Sequence, residues 1–417
     1  MTSSRRPPPR TSSSTPVDLV LEGPANGGAS VARDAMGRVV FCDGGLPGET
    51  VRVALDIEKK RFARGRVVEV LDESPGRVEP TCPTHRRGCG GCDLAHATKA
   101  LQHEIKRRVV SDALVRIARC APDDIERLLG TPSGAGDIDP YGYRTTVRAA
   151  INDGRAGYRK RASHEVVAAS HCGIAHPLVE DMLVNGRFGP AAGPEVVFRA
   201  SASTGERCAL VDGDVGDVEL PDDVLVTSRD ELAAGRRVSM IERAAGRDWQ
   251  VSIDSFFQAG PTIATALVAS VAAAAGQISG LRVVDAYGGI GLFGGTVAST
   301  ASDIWSVERS GSSTRDARRN LAELPATVVE CAVEEWPGVA ADVVIADPAR
   351  SGLGKDGVTA LITCAARRFV LVSCDTGSLG RDVGLLREHG YTIDSIEIVD
   401  AFPDTSHVET IVGLVRD

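Results

Sequence analysis

Residues 281–295 read LRVVDAYGGIGLFGG, and this stretch decides the fold class because a short apolar run leads directly into a glycine-rich loop. Three more apolar runs follow, separated by helix-like segments: DIWSVERS (303–310), DVVIADPARSG (342–352) and RRFVLVSCD (367–375). Buried strands that alternate with helices are typical of a parallel sheet covered on both faces. From residue 251 to residue 417 the sequence therefore predicts a doubly wound α/β domain.

Polar residues stand where these four predicted strands end. They are Asp285, Glu308, Asp347 and Cys374. Ligands of doubly wound sheets bind beyond the carboxyl ends of the strands. We therefore expect the four side chains to form one site.

The loop itself allows two kinds of cofactor. Residues 289–294, GIGLFG, match the G-x-G-x-x-G pattern of nicotinamide enzymes, and Glu308 lies near the distance expected for an acid that binds ribose hydroxyls. S-adenosylmethionine also carries a ribose and makes the same demands on the loop. Asp285 before the glycines and the thiol of Cys374 favour the second cofactor, since a dehydrogenase has no evident use for that thiol. A nicotinamide-dependent oxidoreductase remains the alternative.

Composition limits the remaining choices. The chain has 417 residues, 43% hydrophobic content, a net charge of −9 and ten cysteines. Residues 1–16 contain basic residues without an apolar segment, which predicts a disordered tail rather than a signal peptide. Cysteines without an export signal indicate a reducing compartment, so we expect a cytoplasmic protein without a membrane span. The charge argues against a uniformly basic nucleic-acid binder, although a local basic face remains possible.

Before residue 251 the pattern is typical of β-structure. Residues 17–71 alternate apolar and polar positions between glycine turns, which predicts a small OB-like β-barrel, and EKKRFARGR (58–66) would add positive charge to one edge. Residues 72–250 predict a β-rich central region, in which Asp-Gly pairs suggest hairpins. This region also contains a basic run of Arg155, Arg159, Lys160 and Arg161, with Tyr158 among them. The run could contact phosphates of a nucleic acid, or it could be a hairpin that only faces solvent.

A group of cysteines indicates a metal site in this central region. CPTHRRGCGGC (82–92) brings Cys82, Cys89 and Cys92 close together, and SHCGIAHP (170–177) supplies Cys172. Four thiolates can hold either a zinc ion or a [4Fe–4S] cluster, and the spacing does not choose between them.

The order of the motifs resembles one family over nearly the whole chain after the tail. The matching blocks are CGGC, GYRKRASHEVVAASHC, FFQAGP, the glycine loop, DPARSGL, VSCDTGSLGRD and DAFPDTSHVET. Together they resemble the RNA uracil-5 methyltransferases, which make 5-methyluridine in transfer or ribosomal RNA. The resemblance implies a TRAM domain as the N-terminal barrel, a small mixed α+β domain with a [4Fe–4S] cluster on the four cysteines, a Rossmann-like methyltransferase domain and an RNA substrate. We expect a monomer.

The resemblance also implies roles for individual residues. Cys374 would be the nucleophile and Glu409 the base. S-adenosylmethionine would be bound by Gln258, Tyr287, Glu308 and Asp347, with Glu308 on the ribose. Arg350 would set the cysteine loop or contact RNA, and His407 would position its turn or a phosphate.

Several positions depart from the family pattern. The spacing from Cys82 to Cys89 is one residue longer, Ala349 replaces a second proline, and Asp375 stands where Asn is usual after the nucleophile. Ala332 also falls near the place of an adenine-binding polar residue. An acid at position 375 should raise the pKa of the Cys374 thiol. That departure keeps a catalytically inactive RNA-binding protein as a further alternative.

Overall fold

The computed structural model describes residues 15–130 and 138–417. The predicted disordered tail, residues 1–16, lies almost entirely outside these ranges. The chain divides into two compact units: residues 1–79, 93–109 and 404–406 form the first, and residues 80–92, 110–403 and 407–417 form the second. Within the described residues, no helix is both long and apolar enough to cross a membrane.

The first unit contains one six-stranded sheet. Its strands are β1 (Val17–Val20), β2 (Gly23–Pro24), β3 (Ala29–Arg33), β4 (Val39–Asp43), β5 (Thr50–Glu58) and β6 (Phe62–Asp72). Their order is β1-β5-β6-β4-β3-β2, and neighbours are antiparallel except for the parallel pair β4 and β6. Alternate residues such as Val51 and Val53 are buried in its core, as the period-two pattern predicts. The strands expected over residues 17–71 are therefore confirmed, whereas the closed TRAM barrel stays a prediction.

The central region of the second unit is built around another six-stranded sheet, of order β14-β12-β11-β7-β8-β9. The strands between residues 146 and 252 are β7 (Thr146–Asn152), β8 (Arg155–Arg159), β9 (Val166–Ala168), β10 (Arg187–Phe188), β11 (Glu195–Ala200), β12 (Arg207–Val211), β13 (Val218–Glu219), β14 (Val224–Ser228), β15 (Ser239–Ala244) and β16 (Arg247–Ser252). The helices up to this point are α1 (Pro83–Arg86), α2 (Lys99–Arg116), α3 (Pro122–Leu128), α4 (Pro177–Asn185) and α5 (Arg229–Ala233).

The two Asp-Gly pairs of this region behave differently. Asp153 and Gly154 have φ of 49° and 71° and join β7 to β8 as a hairpin, which confirms the first expectation. The hairpin expected at Asp212 and Gly213 is wrong, because β12 pairs with β14 in parallel. All five residues of β12 are buried between β11 and β14. The connection from Asp212 to Asp223 that joins β12 to β14 is long enough for a parallel crossover, so the Asp-Gly pair does not have to form a tight hairpin.

The doubly wound sheet has seven strands in the order β19-β18-β17-β20-β21-β23-β22. These are β17 (Arg282–Ala286), β18 (Asp303–Glu308), β19 (Ala326–Glu330), β20 (Val343–Ala346), β21 (Arg368–Ser373), β22 (Thr392–Val399) and β23 (Glu409–Val415). The helices of this region are α6 (Pro261–Ala275), α7 (Leu292–Gly295), α8 (Gly311–Asn320), α9 (Gly354–Ile362) and α10 (Thr376–Glu388).

The parallel arrangement is confirmed from β19 to β21 and needs one correction beyond it. Strand β23 runs antiparallel to both β21 and β22. Its first residues therefore lie at the edge where the parallel strands end, and Thr410 pairs with Ser373. This antiparallel return carries Glu409 to the same edge as Cys374.

Strand β21 shows why its sequence is continuously apolar. Phe369 and Leu371 pack into the core on one face of the sheet, and Val370 and Val372 pack into the core on the other. A strand covered on both faces loses the alternation of an exposed strand. The next residue that can meet a ligand is Cys374, directly after the strand.

Candidate active site

The glycine loop folds tightly around the end of β17. Asp285 is 1% exposed, and one of its carboxylate oxygens accepts the Gly294 N–H at 2.9 Å. Its other oxygen, Oδ1, is buried and has no hydrogen-bond partner among the described residues. A side chain at Gly288 would place Cβ 2.4 Å from the Ser306 hydroxyl, so only glycine fits there. Tyr287 takes a left-handed φ of 59° to make the turn.

Glu308 faces this loop from the end of β18. Its carboxylate accepts the Gly289 N–H at 3.1 Å and the Ser310 N–H at 2.6 Å. Two backbone donors therefore fix the carboxylate beside the glycine loop. An acid held in this way can accept hydrogen bonds from the hydroxyl groups of a ligand.

Tyr287 has a partner that the sequence analysis missed. Its hydroxyl donates to Glu334 at 2.8 Å, and burial together with this carboxylate raises the pKa of the phenol. Glu334 lies two residues after Ala332, the position where a polar contact was expected. The signal was the second acid of VECAVEEW, but only the fold shows which residue of that segment meets Tyr287.

Asp347 follows β20 and receives a hydrogen bond from the amide of Gln258 at 3.2 Å. Burial raises the pKa of Asp347 to about 7, although Gln258 opposes the shift. The pKa of Asp285 also rises to about 7, first because of burial and then because of the nearby Asp347 and Glu308 carboxylates. Acids crowded at one edge of the sheet thus resist ionisation, and a cation would relieve them.

Cys374 and Glu409 meet at this edge. Burial raises the pKa of the Cys374 thiol to about 12, and the charges of Glu409 and Asp347 add to the shift. Glu409 is 6% exposed, and burial with the Asp347 charge holds its pKa well above the usual value. The Arg350 guanidinium opposes both shifts because it favours the charged forms.

Arg350 is itself held by His407, the residue whose role the sequence left open. The Arg350 Nη2 atom lies 3.2 Å from His407 Nε2, and the His407 ring packs edge-on against Phe402 with 6.0 Å between ring centres. His407 therefore helps to orient the Arg350 guanidinium beside these acids.

Asp375 does not act as expected. Its side chain caps helix α10 and accepts the Ser378 N–H at 2.8 Å. The direction of the predicted thiol shift is confirmed, but its source is corrected: the carboxylates that raise the pKa of Cys374 are Glu409 and Asp347.

The structure brings three of the four predicted metal ligands near one another. Burial and the charges of Cys172 and Cys82 raise the pKa of Cys89, and the Tyr158 hydroxyl lies 3.4 Å from Cys172 Sγ. However, across residues 15–130 and 138–417 no three His, Cys, Asp or Glu side chains are arranged as a metal site. The metal site of these three residues and Cys92 is therefore unsupported and stays a prediction.

A second residue that the sequence analysis passed over is Phe256. Its side chain is 67% exposed, whereas the neighbouring Phe257 is 8% exposed. Gln258, the predicted cofactor ligand, follows two residues later. Both aromatic residues belong to the FFQAGP block, and the sequence alone does not say which of them faces solvent.

Comparisons with known proteins place the chain in a family. The chain is 36% identical over 417 residues to an uncharacterised RNA methyltransferase of Streptomyces avermitilis, covering 94% of this chain and 96% of that protein. An uncharacterised RNA methyltransferase of Corynebacterium glutamicum is 32% identical, covering 94% of this chain and 95% of that protein. No protein-family model matches the chain.

A solved structure shares the fold over nearly the whole length. It is the Pyrococcus abyssi tRNA (uracil-54, C5)-methyltransferase in complex with S-adenosyl-L-homocysteine, with a TM-score of 0.72 and 22% identity. The similarity covers 95% of this chain and 99% of that chain. At this level of identity the comparison establishes the fold.

Proposed function

Because this chain belongs to the RNA methyltransferases, we propose that it methylates C5 of a uridine in transfer or ribosomal RNA, with S-adenosylmethionine as the methyl donor. The observation that carries the proposal is the meeting of Cys374 with Glu409 at the carboxyl edge of the sheet. Methylation of a ring nitrogen or a ribose needs no thiol there. Family membership also removes the reason for the nicotinamide alternative.

The Cys374 thiol can activate C5 of the uracil ring for this reaction. Uracil C5 is too weak a nucleophile to take a methyl group directly. When the Cys374 sulfur forms a bond to C6, the electrons of the C5–C6 double bond move into an enolate, and C5 then attacks the methyl carbon. S-adenosylmethionine would supply that methyl group from a positively charged sulfur, which keeps the electron pair of the broken sulfur–methyl bond and leaves as a neutral thioether. Cys374, at the end of a rigid buried strand, can hold the base in a fixed position.

The state of the thiol must change before it reacts. With a pKa of about 12, Cys374 is protonated near neutral pH. Positive charge beside Asp347 and Glu409 would offset their repulsion of a thiolate, as the Arg350 guanidinium already does in part. We therefore infer that a cationic methyl donor helps to ionise its own nucleophile.

Glu409 is placed to complete the reaction. After methyl transfer, C5 carries both a methyl group and a hydrogen. The Glu409 carboxylate removes that proton, the electron pair restores the C5–C6 double bond, and the Cys374 thiolate leaves. Arg350 supports this role because its charge favours the ionised carboxylate.

The acids of the site fit the proposed donor. Asp285 has a buried oxygen without a hydrogen-bond partner among the described residues, and Asp347 is poised to lose its proton near neutral pH. Both suit a ligand with positive charge and N–H donors. Glu308 is fixed for the ribose hydroxyls, and Gln258 and Tyr287 complete the proposed binding residues.

The RNA must present its target base outside a helix, because a paired base cannot reach Cys374. The exposed ring of Phe256, close in sequence to Gln258, offers a surface on which a base can stack. The basic edge at residues 58–66 fits a role in holding flanking RNA. Methyl transfer from a sulfonium needs no electron, so we assign the four cysteines no step in the reaction.

Covalent trapping tests the proposal. Fluorine at C5 cannot leave as a proton, so RNA that contains 5-fluorouridine should remain bonded to Cys374 in the presence of S-adenosylmethionine. Denaturing gels should show a shifted band for the wild type and for a Cys331→Ala control, and no band for Cys374→Ala. A band in Cys374→Ala would point to another nucleophile. No band from wild-type protein that binds RNA would support the inactive RNA-binding alternative.

A further inference from the structure

A second feature of the methyltransferase unit is an open cleft with a volume of about 320 Å³, which we call the arginine cleft. Its polar lining consists of Arg229, Arg237, Asp254, Ser312 and Arg315. It includes none of the residues proposed above for the donor or for catalysis. We propose that the arginine cleft binds the ribose–phosphate backbone of single-stranded RNA beside the target uridine, an inference that rests on the proposed function.

The charges of the cleft call for an anion. Arg229 is paired with Asp212 at 2.6 Å. Arg237 donates to the backbone carbonyls of Leu232 and Arg236, and among the residues that the structure describes neither Arg237 nor Arg315 forms an ion pair. The lining therefore has three arginines against one acid, Asp254, and only Arg229 of the three forms an ion pair among the described residues. Arginine is well suited to phosphate because its fork of N–H donors matches the phosphate oxygens.

Helix α8 adds to this preference. Ser312 and Arg315 lie in its first turns, and Ser310 caps the helix by accepting the Ser313 N–H. The N-terminus of a helix carries partial positive charge and favours phosphate groups. Two arginines without an ion pair among the described residues and the first turns of a helix therefore meet in one cleft.

Buried contacts hold the two walls of the cleft in place. Asp316, the neighbour of Arg315, is 1% exposed and accepts the Ser252 N–H at 2.8 Å and the Ser255 hydroxyl at 2.7 Å. The buried Arg199 donates to the carbonyls of the same two serines at 2.6 and 2.7 Å. Asp254 lies between these serines in the chain. Its backbone is therefore fixed relative to α8, so the cleft does not have to be ordered when a ligand binds.

Asp254 favours RNA over DNA or a free phosphate as the ligand of the cleft. A carboxylate would weaken a site for phosphate alone, but it can accept a hydrogen bond from a hydroxyl that lies beside the phosphate. The ribose 2′-hydroxyl is such a group, and it is what distinguishes RNA from DNA. The cleft thus offers donors for the phosphodiester and one acceptor for the sugar.

The position of the cleft suits RNA that enters the active site. Asp254 precedes Gln258 by four residues, which span at most about 14 Å of chain. Helix α8 begins shortly after Glu308, another proposed donor ligand. A strand that delivers its uridine to Cys374 can therefore place a neighbouring backbone unit in the cleft.

The first test compares binding of a short oligouridylate at several salt concentrations. Each phosphate contact on a single strand contributes about 0.7 to the slope of log affinity against log salt. The double variant Arg237→Gln/Arg315→Gln should lower that slope by about 1.4. The control Arg236→Gln/Arg319→Gln removes the same charge next to these positions but outside the cleft lining, and it should leave the slope unchanged. Equal slopes in both variants would overturn the proposal.

The second test uses Asp254→Asn and the matching deoxyribose oligonucleotide. Loss of a carboxylate that accepts the 2′-hydroxyl should reduce the preference for ribose over deoxyribose by about tenfold. An unchanged preference would remove the sugar contact from the proposal. S-adenosylmethionine binding by each variant checks that the unit is folded.

These results separate the two proposals. If wild-type protein traps 5-fluorouridine RNA while the cleft variants keep the full salt slope, the arginine cleft is wrong and the reaction stands. If the cleft variants lose the slope while wild-type protein traps no RNA, the cleft binds RNA and the proposed reaction is wrong.

Discussion

The edge of the sheet where Cys374, Asp347 and Glu409 lie, which we call the active-site edge, can be compared with the cysteine group of Cys82, Cys89 and Cys172. The two contain similar acidic groups but are held in place by different kinds of structure. Burial raises pKa values in both, those of Cys374, Asp347 and Glu409 in one and those of Cys89 and Cys172 in the other. Neighbouring acidic groups add to the pKa shifts of Cys374, Glu409, Cys89 and Cys172. The acids of the first group follow or begin strands of one sheet. The second group lies outside the strands, where Cys89 forms an isolated backbone bridge with Lys160.

This difference shows how the fold sets the positions of the side chains in a site. Strand pairing sets the positions of Cys374 and Glu409 whether or not a ligand is bound, because Ser373 and Thr410 are paired neighbours in the sheet. No such pairing sets the distances among the cysteines. Each group crowds like-charged acids, and each would gain from a cation. Strand pairing forms the active-site edge, whereas hydrogen bonds between loop segments, such as that from the Thr84 hydroxyl to the His171 carbonyl at 2.6 Å, bring the cysteines near one another.

The largest effect is expected at Glu409. Glu409→Gln removes the proposed base while keeping its shape, so release of methylated RNA should fall by about 10²- to 10⁴-fold. The covalent adduct should then accumulate on unmodified RNA, since addition of Cys374 does not need the base. Kinetics and denaturing gels measure the two results, with Glu388→Gln, an exposed acid of α10, as control. A normal rate in Glu409→Gln would show that the edge contains a different base.

A smaller effect concerns the pH dependence of donor binding. Below pH 7 Asp285 and Asp347 hold protons that a cationic ligand must displace, so affinity for S-adenosylmethionine should rise as the pH increases through about 7 and then level off. Asp347→Asn should weaken binding and flatten this rise, and Asp356→Asn should do neither. Calorimetry at several pH values measures the affinity for S-adenosylmethionine. A flat profile for wild-type protein would show that these acids do not face the donor.

The raised pKa values of Asp285 and Asp347 also affect the stability of the folded chain, which should fall, not rise, as the pH increases. Both folded pKa values lie above the ordinary aspartic acid value of 3.8, so the folded chain keeps protons that the unfolded chain has released. Their contribution to the free energy of unfolding is therefore present at low pH and is lost as the pH rises through about 7. Donor binding should restore stability above that pH.

The cysteine group should matter little to the chemical step. The family resemblance predicts about four irons per chain in protein purified without oxygen, and Cys89→Ser should lose them while Cys331→Ser keeps them. Methyl transfer by the folded remainder should change only a few-fold. Zinc in place of iron would select the other metal, and metal-free protein with full activity would contradict the predicted site. Metal analysis and visible absorbance distinguish these results.

The smallest effect is expected at Asp375. Asn caps helices about as well as Asp, so Asp375→Asn should leave stability and methyl transfer nearly unchanged. Asp375→Ala should lower the free energy of unfolding by about 1 kcal/mol because it removes the cap of α10. Thermal unfolding measures the stability of each variant, and kinetics measures its rate of methyl transfer. A large gain in activity for Asp375→Asn would show that this acid suppresses the thiol.

The sequence by itself determined which residues end the parallel strands. Apolar runs without alternation predict strands buried on both faces, and a polar residue directly after such a run must lie at the edge of the sheet. Asp285, Glu308, Asp347 and Cys374 could be placed in this way from spacing alone. The Asp153–Gly154 hairpin could also be predicted, because its turn chemistry is local.

Only the tertiary structure decided which groups meet. The antiparallel direction of β23 carries Glu409 to Cys374, and no local pattern specifies strand order or direction. The same holds for Glu334 beside Tyr287, for the parallel pairing of β12 with β14, and for the arginine cleft between residues far apart in the chain. Strand positions follow from short-range hydrophobic pattern, whereas pairing, burial and pKa depend on contacts between distant segments.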